Sequence, residues 1–161
     1  MAAMEIERKY IVRIPRNLQA FRCAQMVQTY LVSTDGTRRI RQVICDGEKE
    51  YYFTHKIRRS DLSCWEDERR IDENEYKTLL LEADPRLQPV KKTRYYYPYE
   101  GLTFEIDVYP FWQRQCVMEV ELESEAQTVK LPYNIDIVAE VTGDIRYKNV
   151  SLARQIPEEM I

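Results

Sequence analysis

Along most of this chain apolar and polar residues alternate in short runs, the period of two that predicts half-buried strands. From Met4 to Ile14, Glu5, Glu7 and Lys9 share one face, while Ile6, Tyr10 and Val12 share the other with Arg8. Thr37 to Cys45 sets Arg39 and Arg41 opposite Ile40, and the Asp46-Gly47 hairpin signal turns the chain into a third strand, Tyr51 to Arg58. There Thr54, Lys56 and Arg58 oppose Phe53, His55 and Ile57. Cys64 to Ile71 places Glu66, Glu68 and Arg70 away from Trp65 and Ile71, and Val90 to Tyr97 aligns Lys92 with Arg94. Beyond the Glu100-Gly101 turn, Glu105 and Asp107 alternate with Phe104, Ile106 and Val108. A seventh strand points Cys116, Met118, Val120 and Leu122 one way and Glu119, Glu121 and Glu123 the other, and Ile137 to Thr142 reads as the eighth.

Three helices complete the pattern. Asn17 caps one that runs to about Gln28, Asp72 caps one over Glu73 to about Ala83 that Pro85 stops, and a last one covers Asp144 to Gln155. Eight strands with short turns predict a mainly β protein, an α+β arrangement of an antiparallel sheet closed into a barrel with helices laid around it. An open sheet with a solvated charged face is the alternative. If the sheet closes, the charged face lines a tunnel, and a dry tunnel of that kind is too costly, so it holds water, ions or a ligand.

Composition narrows the class. A chain of 161 residues with 44% hydrophobic and 32% charged residues is expected to form one domain over 1–161. Lys and Arg number 24 against 27 Asp and Glu, which gives no bulk basicity for nucleic acid. The four cysteines lack a CxxC pair and have only His55 as a histidine companion, so neither zinc nor a disulfide framework is indicated. No apolar run has the length to span a bilayer and no secretory leader is visible, so the expected location is cytoplasmic, with no membrane partner.

Seven cations share the charged face, Lys9, Arg39, Arg41, Lys56, Arg58, Lys92 and Arg94, with Arg70 as an eighth. Their spacing suits an extended polyphosphate, with Arg forks for bidentate oxygen contacts. Nine carboxylates share it too, and alone they would repel a polyanion and one another. Hard divalent cations shared between carboxylate and phosphate oxygens resolve the conflict, and Mg²⁺ is the commonest.

In order along the chain, Glu5-x-Glu7-x-Lys9, Arg39-x-Arg41, Lys56, Lys92-Thr93-Arg94-Tyr95, Glu119-x-Glu121 and Val141-Thr142-Gly143-Asp144-x-Arg146-Tyr147 resemble the CYTH, or triphosphate tunnel metalloenzyme, family. The resemblance spans almost the whole chain and is strongest to the compact bacterial inorganic triphosphatases. It implies an eight-stranded tunnel and Mg²⁺ or Mn²⁺ as cofactor. It assigns Glu5, Glu7, Glu119 and Glu121 to metal, with Glu66, Glu68, Glu105 and Asp107 as further metal or water-ordering acids. Lys9, Arg39, Arg41, Lys56, Lys92 and Arg94 would hold phosphates. Arg146 would close one tunnel end with help from Lys148. Lys9, Glu119, Glu121 and Tyr30 are the catalytic candidates, Tyr30 competing with a plain core role. The implied reaction is hydrolysis of inorganic triphosphate to pyrophosphate and phosphate, with a small-molecule triphosphate as partner and a homodimer allowed. Adenylate cyclase, thiamine or nucleoside triphosphatase, and a non-enzymatic polyphosphate-binding module are the alternatives, with Trp112 and Tyr95 to Tyr97 as candidate aromatic platforms.

Overall fold

A computed structural model describes residues 2–161. Nine strands form one sheet: β1 (Ala2–Arg13), β2 (Cys23–Leu31), β3 (Thr37–Cys45), β4 (Glu48–Arg58), β5 (Ser63–Ile71), β6 (Val90–Tyr99), β7 (Leu102–Val108), β8 (Gln115–Glu121) and β9 (Ile137–Glu140). The order is β5-β4-β3-β2-β6-β7-β8-β1, and pairing of β5 back onto β1 closes those eight antiparallel strands into a barrel. Its ninth strand, β9, lies alongside β1 at Tyr10 to Val12. Closure removes exposed sheet edges and fixes an inside and an outside for every strand.

The barrel has eight strands as the alternation predicts, but their membership differs. The segment after Asn17 forms a short 3-10 turn, Leu18–Ala20, and then the strand β2 in place of a helix. Leu18, Phe21 and Ala24 fit a helical spacing, yet Ala24, Met26, Gln28 and Tyr30 are buried at a period of two. Pairing with β3 on one side and β6 on the other outweighs helix propensity there. The strand at Ile137 consequently has no place in the barrel.

The helices are few. In α1 (Glu73–Leu80) the Asp72 side chain accepts from the Glu75 N–H at 2.8 Å, and Tyr76 packs on Tyr51 with ring centroids 4.6 Å apart. The expected C-terminal helix is split: a 3-10 turn at Ile145–Tyr147 and α2 (Asn149–Leu152) are separated by Lys148 in an extended conformation. Gly36, in the β2–β3 connection, has φ +65 and sits where an added Cβ would overlap the Lys56 carbonyl oxygen.

Outward-facing apolar residues make two cores under the covering segments. Tyr10, Val12, Phe104, Ile106, Met118 and Val120 lie beneath Leu18 and Ile135, while Leu31, Ile40, Tyr51 and Ile71 lie beneath α1. A third cluster is placed differently. Ile11, Tyr30, Val90 and Val117 have the inward parity of the charged residues, and together with Tyr109, Trp112, Tyr147 and Leu152 they form an apolar mass at one end of the barrel.

Candidate functional site in the barrel lumen

Strand register brings together side chains far apart in sequence. Glu7 pairs with Glu121 and Lys9 with Glu119 across β1–β8, Glu105 pairs with Glu119 across β7–β8, and Lys56 pairs with Glu66 across β4–β5. Opposed residues in an antiparallel pair share a face, so all of these point inward. They line two adjoining chambers that share part of their walls.

The larger chamber encloses about 480 Å³. Its wall carries Glu5, Glu7, Arg39, Arg41, Lys56, Glu66, Glu68, Arg94, Glu105, Glu119 and Glu121, as the sequence pattern predicts. The smaller, of about 300 Å³, is lined by Lys9, Tyr30, Arg58, Cys64, Lys148 and Arg154, among others, and is covered by the 145–154 segment. Charge is divided between them. Ten carboxylates face five cations in the larger chamber, whereas six cations face Glu7 alone in the smaller.

Within the lumen the cations are held by carboxylates. The Lys56 ammonium lies 2.7 Å from Glu5 and 3.3 Å from Glu66, and Arg41 donates to Glu68 at 2.8 Å, where Thr54 also donates. Arg94 donates to Glu105 at 2.9 Å and forks onto Asp107 at 2.8 and 2.9 Å. Lys9 lies 3.4 Å from Glu119 and donates to the Tyr147 carbonyl at 3.1 Å. Among the described residues three buried polar atoms of the lumen side chains have no hydrogen-bond partner, Arg39 Nε, Arg41 Nε and Glu119 Oε1. The 3.4 Å approach of Lys9 to that oxygen is therefore an ionic contact without hydrogen-bond geometry.

The carboxylates titrate apart because their surroundings differ. Burial pushes Glu7 up to about 8, with the Glu119 charge adding to it. Burial would also raise Glu119, but Lys9, Arg94 and Lys92, with a hydrogen bond from Glu7, hold it well below the ordinary range. The same division separates Glu5 and Glu66. Against its burial Glu5 is held down to about 2 by Lys56 and a hydrogen bond with Glu66, while burial and that same hydrogen bond raise Glu66 to about 7. Near neutral pH the two pairs thus keep protons between their carboxyl groups.

Several predicted residues are placed elsewhere. Lys92 and Asp107 form a 2.7 Å ion pair with both side chains 0% exposed, sealed in the wall behind Arg94 and outside the lining of either chamber. Burial and the neighbouring Arg94 bring Lys92 down to about 8. Arg146 lies outside the lumen, 64% exposed and forked onto Asp144 at 2.7 and 3.1 Å. Lys148, expected to assist it, does line the smaller chamber. Glu123 follows the end of β8 and is exposed. Cys64 lines the smaller chamber, its thiol 3.6 Å from Glu5.

Of the candidate aromatic platforms, Trp112 is buried and donates to the Pro157 carbonyl at 2.9 Å, and Tyr97 belongs to an outer core. Tyr96 alone of that run lines the larger chamber, near Tyr52, Cys45, Asp46, Glu48 and Glu50 at its mouth. Those mouth residues were legible by parity, since Tyr96 follows Arg94 and Glu50 precedes Tyr52 at a spacing of two. Asn149 and Arg154 had no such signal, because nothing periodic links the C-terminal segment to the lumen.

Among the described residues no three His, Cys, Asp or Glu side chains are drawn together as a ready-made metal site, and no helix is long and apolar enough to cross a membrane.

No protein-family model matches the chain, and no curated protein matches it. Solved structures do. The inorganic triphosphatase NE1496 shares 33% identity over 96% of this chain and 97% of that one, with a TM-score of 0.58. A second structure of NE1496, described as a hypothetical protein, gives 33% identity over 95% and 99% of the two chains with a TM-score of 0.57. A conserved hypothetical protein of Pyrococcus furiosus shares the fold at 22% identity over 76% of this chain and 80% of its own, with a TM-score of 0.56.

Proposed function

The chain belongs to the CYTH, or triphosphate tunnel metalloenzyme, family, and on that premise we propose that it is a divalent-metal-dependent triphosphatase acting on inorganic triphosphate. The observation that carries the reading is a closed barrel whose lumen takes Arg and Lys side chains from four strands, Lys9 on β1, Arg39 and Arg41 on β3, Lys56 on β4 and Arg94 on β6. The likeness to an inorganic triphosphatase at 33% identity supports the same chemistry here.

Charge balance supports the metal. A polyanion cannot enter a chamber of ten carboxylates and five cations without bringing positive charge, since like charges in a partly desolvated space repel strongly. The donor set fits Mg²⁺ or Mn²⁺: the oxygens are hard, Glu119 Oε1 is buried without a hydrogen bond, and burial with the Glu119 charge disfavours a second bare carboxylate at Glu7 beside it, which a bound cation would relieve. Glu5, Glu7, Glu119 and Glu121 would hold the ion, with Glu66, Glu68 and Glu105 close by; Asp107 is committed to Lys92 and Arg94. When bound, the ion supplies charge neutralisation at the phosphates and polarises water.

The protein's own groups do the positioning. Phosphoryl oxygens would take over the donors that Glu5, Glu66, Glu68 and Glu105 now occupy on Lys56, Arg41 and Arg94, which frees those carboxylates for cations. Arg39, with an unpaired buried Nε, has a donor to spare. Lys9, fixed between Glu119 and the Tyr147 carbonyl, sits at the passage to the basic chamber and would neutralise charge developing on the transferred or leaving phosphate. Tyr30 lines that chamber while packed in the apolar end cluster, a wall position that orients more than it reacts. Among the described residues the lumen presents Tyr96 and Tyr52 at its mouth and no enclosed apolar slot for a base, so a bare triphosphate is preferred over a nucleotide or thiamine ester.

The experiment is phosphate release from inorganic triphosphate, ATP, thiamine triphosphate and pyrophosphate at equal concentration with Mg²⁺, together with an assay for cyclic AMP. Inorganic triphosphate is expected to be cleaved at least about tenfold faster than the others, the margin that ~1.4 kcal/mol of selectivity gives. Equal turnover of ATP, or cyclic AMP formation, would displace the inorganic substrate.

A further inference from the structure

Four residues line both chambers and so mark the waist between them: Glu7, Arg39, Lys56 and Asn149. The first three are charged groups of barrel strands. Asn149 is a neutral amide brought in from outside the barrel, as the first residue of α2. Its side chain is held by one contact, in which the Tyr109 hydroxyl donates to Asn149 Oδ1 at 2.6 Å. With Oδ1 taken, the amide Nδ2 remains as a donor, and among the described residues it has no acceptor.

Tyr109 is built to hold that orientation. Its ring is 1% exposed, stacked on Phe111 with centroids 5.0 Å apart, edge-on to Trp112 at 5.6 Å, and covered by the Lys92 ammonium 5.9 Å from its centre. Burial, with Asp107 and Glu119 adding to it, keeps the phenol protonated and hence a donor. With the Tyr109 hydroxyl donating to the amide oxygen, the amide nitrogen is presented elsewhere.

We propose that Asn149 is a substrate-binding residue at the waist of the lumen, its amide Nδ2 donating to a phosphoryl oxygen that passes between the acidic and basic chambers, and that Tyr109 is the positioning residue that aims it. This rests on the reading of the lumen as a triphosphate site. A neutral donor suits the waist, because it contributes a hydrogen bond to the anion without adding to the repulsion among Arg39, Lys56 and Lys9. The rival account is that the Tyr109–Asn149 bond pins α2 to the barrel and does nothing else.

A double-mutant cycle separates the two, read as kcat and KM for phosphate release from inorganic triphosphate with Mg²⁺, with melting temperatures alongside. Asn149→Ala and Tyr109→Phe are each expected to raise KM about tenfold, the effect of losing a hydrogen bond to a charged oxygen, with kcat changed less than about threefold. Tyr109→Phe made in the Asn149→Ala background is expected to add less than about twofold, since Tyr109 acts through the amide. Asn149→Asp, which places an anion where the donor stood, is expected to be worse than Ala. Additive effects in the double variant, or single variants with KM within about twofold of wild type, overturn the assignment. So does a fall in kcat and melting temperature with KM unmoved. A wild-type protein that neither binds nor cleaves triphosphate overturns the functional reading and this one with it, whereas an active wild type with indifferent variants overturns this one alone.

Discussion

Glu7→Gln is expected to reduce metal-supported phosphate release by about a thousandfold, the scale of losing a charged group that organises the transition state, while making the metal-free protein more stable above neutral pH. The two effects share one cause. Burial, with Glu119 beside it, raises Glu7 from 4.5 to about 8. Over that interval the folded protein keeps a proton that the unfolded chain has released, so stability falls as pH rises from about 4.5 towards 8. A carboxyl forced to ionise in that position costs on the order of a few kcal/mol, and a Gln does not ionise. Melts in excess chelator from pH 5 to 9 should show the wild type losing several degrees relative to the variant as pH rises, by the rule of ~2–4 °C per kcal/mol for a chain of this size. Glu66, raised to about 7, slopes both curves alike, so the difference between them isolates Glu7. Parallel curves, or an active variant, would contradict the placement of Glu7 beside an ionised Glu119.

Asp107→Asn is expected to be the most damaging single change to the fold. Asp107 is the shared anion of Lys92 and Arg94, both buried, and it has no exposed surface. Removing one partner of a fully buried ion pair leaves uncompensated charge, a loss of about 3–5 kcal/mol and roughly 10 °C of melting temperature. Lys92→Met should cost less, because Arg94 still holds Asp107 through two hydrogen bonds. Thermal melts of both variants check the ranking. If Lys92→Met melted like wild type and yet raised KM sharply, Lys92 would be reaching phosphate through a wall that the structure shows closed.

The inward face was legible in the sequence because strand parity is strict: once Glu5, Glu7 and Lys9 share a side, pairing carries that side around the barrel through Glu119, Glu105, Arg94, Arg41, Lys56 and Glu66. What parity cannot give is depth. Lys92 and Asp107 have inward parity but lie sealed behind Arg94 near the apolar end cluster, and Ile11 and Val117 show by their side chains where the lumen stops. Nor could pattern locate β2, where Leu18, Phe21 and Ala24 imitate a helix and only the neighbouring strands decide. Carboxylate clustering also misled in detail. Mutual repulsion was expected at Glu119 and Glu121, yet Glu119 is held ionised by Lys9, Arg94 and Lys92, and the strain falls on Glu7. The C-terminal segment was legible as a motif and misleading as a contact: Arg146 turns to Asp144, while Lys148 and Asn149 enter the lumen.

Phosphate release from inorganic triphosphate by the wild-type protein, followed with Mg²⁺, with Mn²⁺ and in excess chelator, tests the central claim most directly. Release with either ion, none above background in chelator, and recovery when the ion is restored are the results predicted by a lumen in which carboxylates outnumber cations ten to five around the substrate. Undiminished release in chelator, or no release with any divalent ion, would contradict it.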